Sequence, residues 1–101
     1  MMRLRELAHS RTGDKGTLVT ISLIAYRQED YPRLVDWATV ERVSELFRHQ
    51  IVTPVTRYEV PGLWALNFVL QRPATESVTR SLAIDAHGKT LGSILLDMEI
   101  L

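Results

Sequence analysis

Ala8-His9-Ser10-Arg11-Thr12-Gly13-Asp14-Lys15-Gly16-Thr17 interrupts two apolar segments, Leu4 to Ala8 and Leu18 to Ala25, with a dense run of polar side chains and two glycines. Glycine on both sides of Asp14-Lys15 allows positive φ and a sharp turn, which aims successive N–H groups into an anion-binding nest. Arg11 and Lys15 add positive charge to it. The segment therefore reads as a polar turn joining two strands, either one that binds a ligand or an ordinary turn whose Arg11, Asp14 and Lys15 are solvated, the reading that composition alone favours. Arg11, Gly13, Asp14, Lys15 and Gly16 are its candidate binding residues, and His9 and Asp14 are the candidate acid–base groups.

Outward from this segment the chain alternates strands with helices. Leu4 to Ala8 has an imperfect period of two and predicts a short first strand. Thr17 to Tyr26 is rich in β-branched residues, with Val19, Ile21 and Leu23 on one face and Thr20 and Ser22 on the other, and gives the clearest strand. Asp30 with Pro32 marks a helix entry. Trp37, Val40, Val43, Leu46 and Phe47 then recur at helical spacing to about His49, as one helix or as two close pieces divided near Ala38-Thr39. Ile51 to Val60 alternates from Val55 as a third strand, with Pro54 confined to an edge or entry position. Leu63 to Leu70 fits a buried strand or a buried helix, and the shared face of Leu63, Leu66, Asn67 and Leu70 favours the helix. A fourth strand is expected at Ser77 to Asp85. Leu91, Ile94, Leu95 and Met98 follow the helical template within a closing helix from Lys89 to Ile100. The order β-β-α-β-α-β-α describes an α+β two-layer sandwich, a ferredoxin-like variant with helices on one face of a mostly antiparallel sheet.

The bulk numbers narrow the function. The chain has 101 residues and is expected to form one domain over 1–101. Twelve basic and twelve acidic residues give zero formal charge, which argues against nucleic-acid binding by general phosphate attraction and permits self-association. The absence of cysteine removes thiolate nucleophiles and Cys-type zinc sites, and makes the cytoplasm the default compartment. No apolar run has the length of a signal peptide core or a membrane span. His9, His49 and His87 lack short metal-ligand spacings, so no metal is expected. Gly88-Lys89-Thr90 fails as a phosphate loop because Ala83 stands where the first glycine belongs, and no cofactor is expected.

Two further residues stand out. Asn67 lies among apolar neighbours and needs a hydrogen-bond partner, with backbone as the first expectation. Arg80 shares the register of Val78, Leu82 and Ile84. If that register faces the core, its guanidinium needs an acceptor such as Asp14, in a pocket shared with His9; at the strand edge it reaches water instead.

Taken together, His9-Ser10-Arg11-Thr12-Gly13-Asp14-Lys15-Gly16, Tyr58-Glu59-Val60-Pro61, Ala65-Leu66-Asn67-Phe68, Val78-Thr79-Arg80-Ser81-Leu82 and Asp85-Ala86-His87-Gly88-Lys89-Thr90-Leu91-Gly92 resemble the small ferredoxin-fold domain of AtuA-like proteins, the acyclic terpene utilisation family. The resemblance covers nearly the whole chain. It departs from the family pattern at Thr17, where Asn or Asp is usual, at Thr20, where Asn is usual, and at Gln71 to Ser77, which replaces a glycine-rich segment. The resemblance implies an accessory or assembly subunit in catabolism of terpenoid or branched acids as acyl-coenzyme A derivatives. It implies a homo-oligomer or a larger AtuA-like partner subunit, with an acyl-coenzyme A or other small anion as ligand, while the charge balance and the short apolar runs leave neither nucleic acid nor membrane as an expected partner. The alternative is a stand-alone enzyme acting on an acyl-coenzyme A or small carboxylate.

Overall fold

A computed structural model describes residues 2–15, 17–49, 51–71 and 91–100, with backbone alone at 14, 15 and 52–54. In chain order these form β1 (Met2–Arg3), β2 (Ala8–Lys15), β3 (Leu18–Ala25), α1 (Tyr31–Trp37), α2 (Val40–Leu46), β4 (Val52–Val60), β5 (Ala65–Gln71), α3 (Leu91–Leu96) and β6 (Glu99–Ile100). Single 3-10 turns precede β2, α1 and β5. Four strands pair antiparallel in the order β2-β3-β5-β4, while β1 and β6 form a separate two-stranded pair. The α+β class and the antiparallel sheet agree with the sequence reading.

The core follows from the alternation of β3. Val19, Ile21, Leu23 and Ala25 are buried, and in register with them so are Leu66, Phe68 and Leu70 of β5. Leu34, Trp37, Val43, Phe47, Leu91 and Leu95 from the helices join the same cluster, so all three described helices cover one face. Burial of this apolar surface is the main stabilising term, at roughly 25 cal/mol per Å² removed from water.

The expected division near Ala38-Thr39 is present: α1 ends at Trp37, and the Thr39 hydroxyl accepts from the Arg42 amide at 3.2 Å to cap α2. A side-chain cap of this kind contributes about 1 kcal/mol. Pro32 lies in the first turn of α1, whereas Asp30 occupies the cap position without a side-chain bond. The Arg42 guanidinium sits over the Trp37 ring at 5.1 Å, tying the two short helices together.

Four expectations are corrected. Leu4 to Glu6 is a 3-10 turn that buries Leu4, not a strand. The polar segment is itself a strand, β2, so the connection to β3 shrinks to the two positions between the paired Lys15 and Leu18. Leu63 to Leu70 is no helix: after the turn at Pro61–Leu63, Trp64 adopts a left-handed φ of 55° and the chain enters the sheet as β5. Having strands on both sides forces β5 to be extended whatever Ala65 and Asn67 prefer alone. Finally, α3 stops at Leu96, and Glu99–Ile100 pairs with Met2–Arg3 instead of continuing the helix. The strand expected at Ser77 to Asp85 lies outside the described residues.

Tyr31 links α1 to the sheet, its hydroxyl donating to the Ala65 carbonyl at 2.9 Å. Burial raises its pKa, the charge of Glu59 adds to this, and the Val60 backbone and Arg57 oppose it. A raised pKa contributes stability that is present below the ordinary value near 10 and is lost as pH rises through the raised one. Urea unfolding across that range is therefore expected to show an alkaline loss of stability. Tyr31→Phe removes this loss, while costing about 1 kcal/mol at neutral pH through the missing hydrogen bond.

Candidate functional site

Because β2 is extended, its side chains alternate between the two faces of the sheet. Ser10 and Thr12 pair with Leu23 and Ile21 and so face the helices. There the Gly92 amide of α3 donates to the Thr12 hydroxyl at 3.3 Å. A Cβ on Gly92 would lie 2.5 Å from Ser10 Oγ and 2.7 Å from Thr12 Oγ1, so glycine is what lets the helix settle on these two side chains.

His9, Arg11 and Gly13 face the other way, onto a side of the sheet that no described helix covers. Register places Arg11, Ser22, Asn67 and Tyr58 in one row across all four strands. Within it the Ser22 hydroxyl donates to Asn67 Oδ1 at 3.2 Å. The partner of Asn67 is thus a neighbouring side chain, where backbone was expected. Arg11 is exposed and has no ion-pair partner among the described residues. His9 lies in the adjoining row opposite Ile24, and its ring contacts that of Tyr26 at 5.3 Å with a tilt of 30°. Tyr26 and Tyr58 are both more than half exposed, at 57% and 55%. The third row sets Gly13 beside Thr20, whose hydroxyl would be 2.8 Å from an added Cβ.

The expected nest does not form from Arg11 to Lys15, since N–H groups along a strand point alternately to opposite sides. What the segment offers instead is side chains on a plane. Of the candidate residues, the structure brings His9, Arg11 and Gly13 to the uncovered face. Gly16, Arg80 and the side chains of Asp14 and Lys15 lie outside the described ones, and with them the pairing of Arg80 and Asp14. Among the described residues no group of His, Asp or Glu is arranged to hold a metal ion.

One site residue was missed by sequence reasoning. Arg57 shares the helix-facing register of Val55 on β4, and its guanidinium donates to the carbonyls of Val35 at 2.8 Å and Ala38 at 3.0 Å. Its other branch meets Glu59 at 3.1 Å. With Thr39, Val40 and Glu41 it lines a cleft of about 210 Å³. This is smaller than the cavities of roughly 300–1,000 Å³ that enclose drug-sized ligands. The parity with Val55 was the available signal.

No helix among the described residues is long and apolar enough to cross a membrane. No curated protein and no solved structure matches the chain. The family model for the AtuA ferredoxin-like domain matches residues 2–101, in agreement with the two-layer α+β architecture and with the motifs along β2, β4, β5 and α3. The chain belongs to the AtuA ferredoxin-like domain family.

Proposed function

We propose that this domain is an accessory, assembly-type module that docks onto a larger AtuA-like subunit through the sheet face that no described helix covers. The setting is the breakdown of terpenoid or branched acids carried as acyl-coenzyme A. The observation that supports this reading is the row Arg11, Ser22, Asn67 and Tyr58: a cation with no ion-pair partner among the described residues and hydrogen-bonding groups, spread over a sheet face rather than gathered in a cleft. Surfaces of this shape suit macromolecular partners, and Arg and Tyr are the side chains that dominate such contacts. Arg11 and Gly13 are the members of the expected anion-binding set at 11–16 that lie on this face.

The test is co-purification with a tagged larger AtuA-like subunit. Wild type is expected to be retained, and Arg11→Glu to be retained at least about tenfold less, since reversing one interfacial charge costs a few kcal/mol. Equal retention of both, or no retention of wild type, contradicts the reading. In a parallel thermal-shift assay with acetyl-coenzyme A as the probe, a shift that disappears in Arg11→Glu would favour a ligand site on the same face. Turnover of that probe, lost in His9→Ala, would favour the stand-alone enzyme.

A further inference from the structure

We propose that β4 is a self-complementary edge through which two copies of this domain join their sheets, antiparallel and centred on Tyr58. This goes beyond the docking face, because it concerns the strand edge and a second copy of the chain.

β4 is the last strand of the described sheet, and among the described residues β5 is its only neighbour in it. Among the described residues nothing pairs with its far edge, and a strand edge of this kind offers its N–H and C=O groups as a template for another strand. Pro54 and Pro61 have no N–H to contribute and bracket the usable stretch as 55–60. If the occupant is a second copy related by a two-fold axis normal to the sheet, each residue must oppose one on the same face. The pairing must then be centred on a single residue, since a one-residue slip exchanges the faces.

Charge selects among the centres. Centring on Arg57 sets arginine against arginine, and centring on Glu59 sets glutamate against glutamate; directly opposed like charges are destabilising. Centring on Thr56 or Val60 leaves both charges opposite uncharged residues. Only Tyr58 as centre places Arg57 opposite Glu59 of the second copy, twice over. Arg57 and Glu59 already form an ion pair within each strand, with the guanidinium held by the Val35 and Ala38 carbonyls. The pairing thus closes an alternating ring of four charges on the helix-covered side. On the other side the two exposed Tyr58 rings meet as a cross-strand aromatic pair. Zero formal net charge leaves no general repulsion between copies to overcome.

A ladder this short is well below the area of an obligate dimer, so the dimer is expected to be weak and to depend on concentration. The absence of cysteine provides a register-specific test. In Tyr58→Cys the two thiols belong to directly opposed residues, whose Cα separation of about 4.5–5.5 Å fits a disulfide. In Thr56→Cys they are offset by four residues, roughly 13 Å. Under mild oxidation Tyr58→Cys is expected to become a covalent dimer at least ten times faster than Thr56→Cys. In sedimentation equilibrium, Glu59→Arg is expected to weaken the wild-type dimer at least tenfold while its circular dichroism stays unchanged. Wild type that remains monomeric at several hundred micromolar, equal cross-linking of the two cysteine variants, or a Glu59→Arg dimer as strong as wild type would each overturn the proposal.

Discussion

Arg57→Met is expected to lower the free energy of unfolding by about 2–3 kcal/mol. The Arg57 side chain is only 18% exposed, and it supplies charged donors to the Val35 and Ala38 carbonyls where α1 ends. The last carbonyls of a helix have no partner within it, so they need donors from outside. A cation also suits the negative end of the helix dipole. Methionine keeps most of the aliphatic packing but leaves those acceptors unsatisfied, and a buried acceptor without a partner costs about 1–3 kcal/mol. Lysine restores the charge but not the fork that reaches two carbonyls and Glu59 together, so Arg57→Lys is expected to recover about half of the loss. Urea denaturation of the three proteins measures this directly. An Arg57→Met midpoint equal to that of wild type would show that α1 is held without the guanidinium.

Gly92→Val is expected to cost about 3 kcal/mol and Gly92→Ala about 1–2 kcal/mol. Alanine normally improves a helix by about 1 kcal/mol over glycine, so the sign itself is informative. Here the new Cβ would meet Ser10 Oγ at 2.5 Å, Thr12 Oγ1 at 2.7 Å and Ser10 Cβ at 3.1 Å. The two hydroxyls can turn aside, but doing so disturbs the bond that Thr12 receives from the Gly92 amide, and Ser10 Cβ cannot turn. Because the conflict is pairwise, Ser10→Ala should reduce the penalty of Gly92→Ala, with a coupling of about 1 kcal/mol in a double-mutant cycle. Additive penalties would mean that α3 does not rest on β2 in this way.

These two residues also mark what could be read from the chain alone. β3 was legible because half of it is buried: Val19, Ile21 and Leu23 face inward and alternate with Thr20 and Ser22. The division of α1 from α2 was legible at Thr39, a capping residue in the middle of a helical pattern. β5 was not, because a central strand carries apolar side chains on both faces: Val69, on the side away from the described helices, stands beside Phe68 and Leu70 on the buried one, which blurs the period of two. β2 was misread for the opposite reason. Its Ser, Arg, Gly and Asp residues are poor strand formers, and only pairing with β3 from Ala8↔Ala25 to Lys15↔Leu18 makes the segment extended. Parity with Val55 puts Arg57 on the inner register, but nothing local reveals which helix carbonyls a cation will meet from a strand 19 and 22 residues away. The candidate site was legible as composition, in Arg11 and His9, but its geometry as one row with Ser22, Asn67 and Tyr58 depends on the register of four strands.

The polar segment is a strand with two different faces, one holding α3 and one turned away from the described helices. Thiol labelling of single-cysteine variants tests this most directly, in a chain that has no cysteine of its own. Arg11→Cys is expected to react at nearly the rate of a free thiol, while Ser10→Cys and Thr12→Cys, beneath Gly92, react roughly tenfold more slowly because their exposure needs α3 to lift. Equal labelling of all three positions, as a solvated turn would give, would contradict the account.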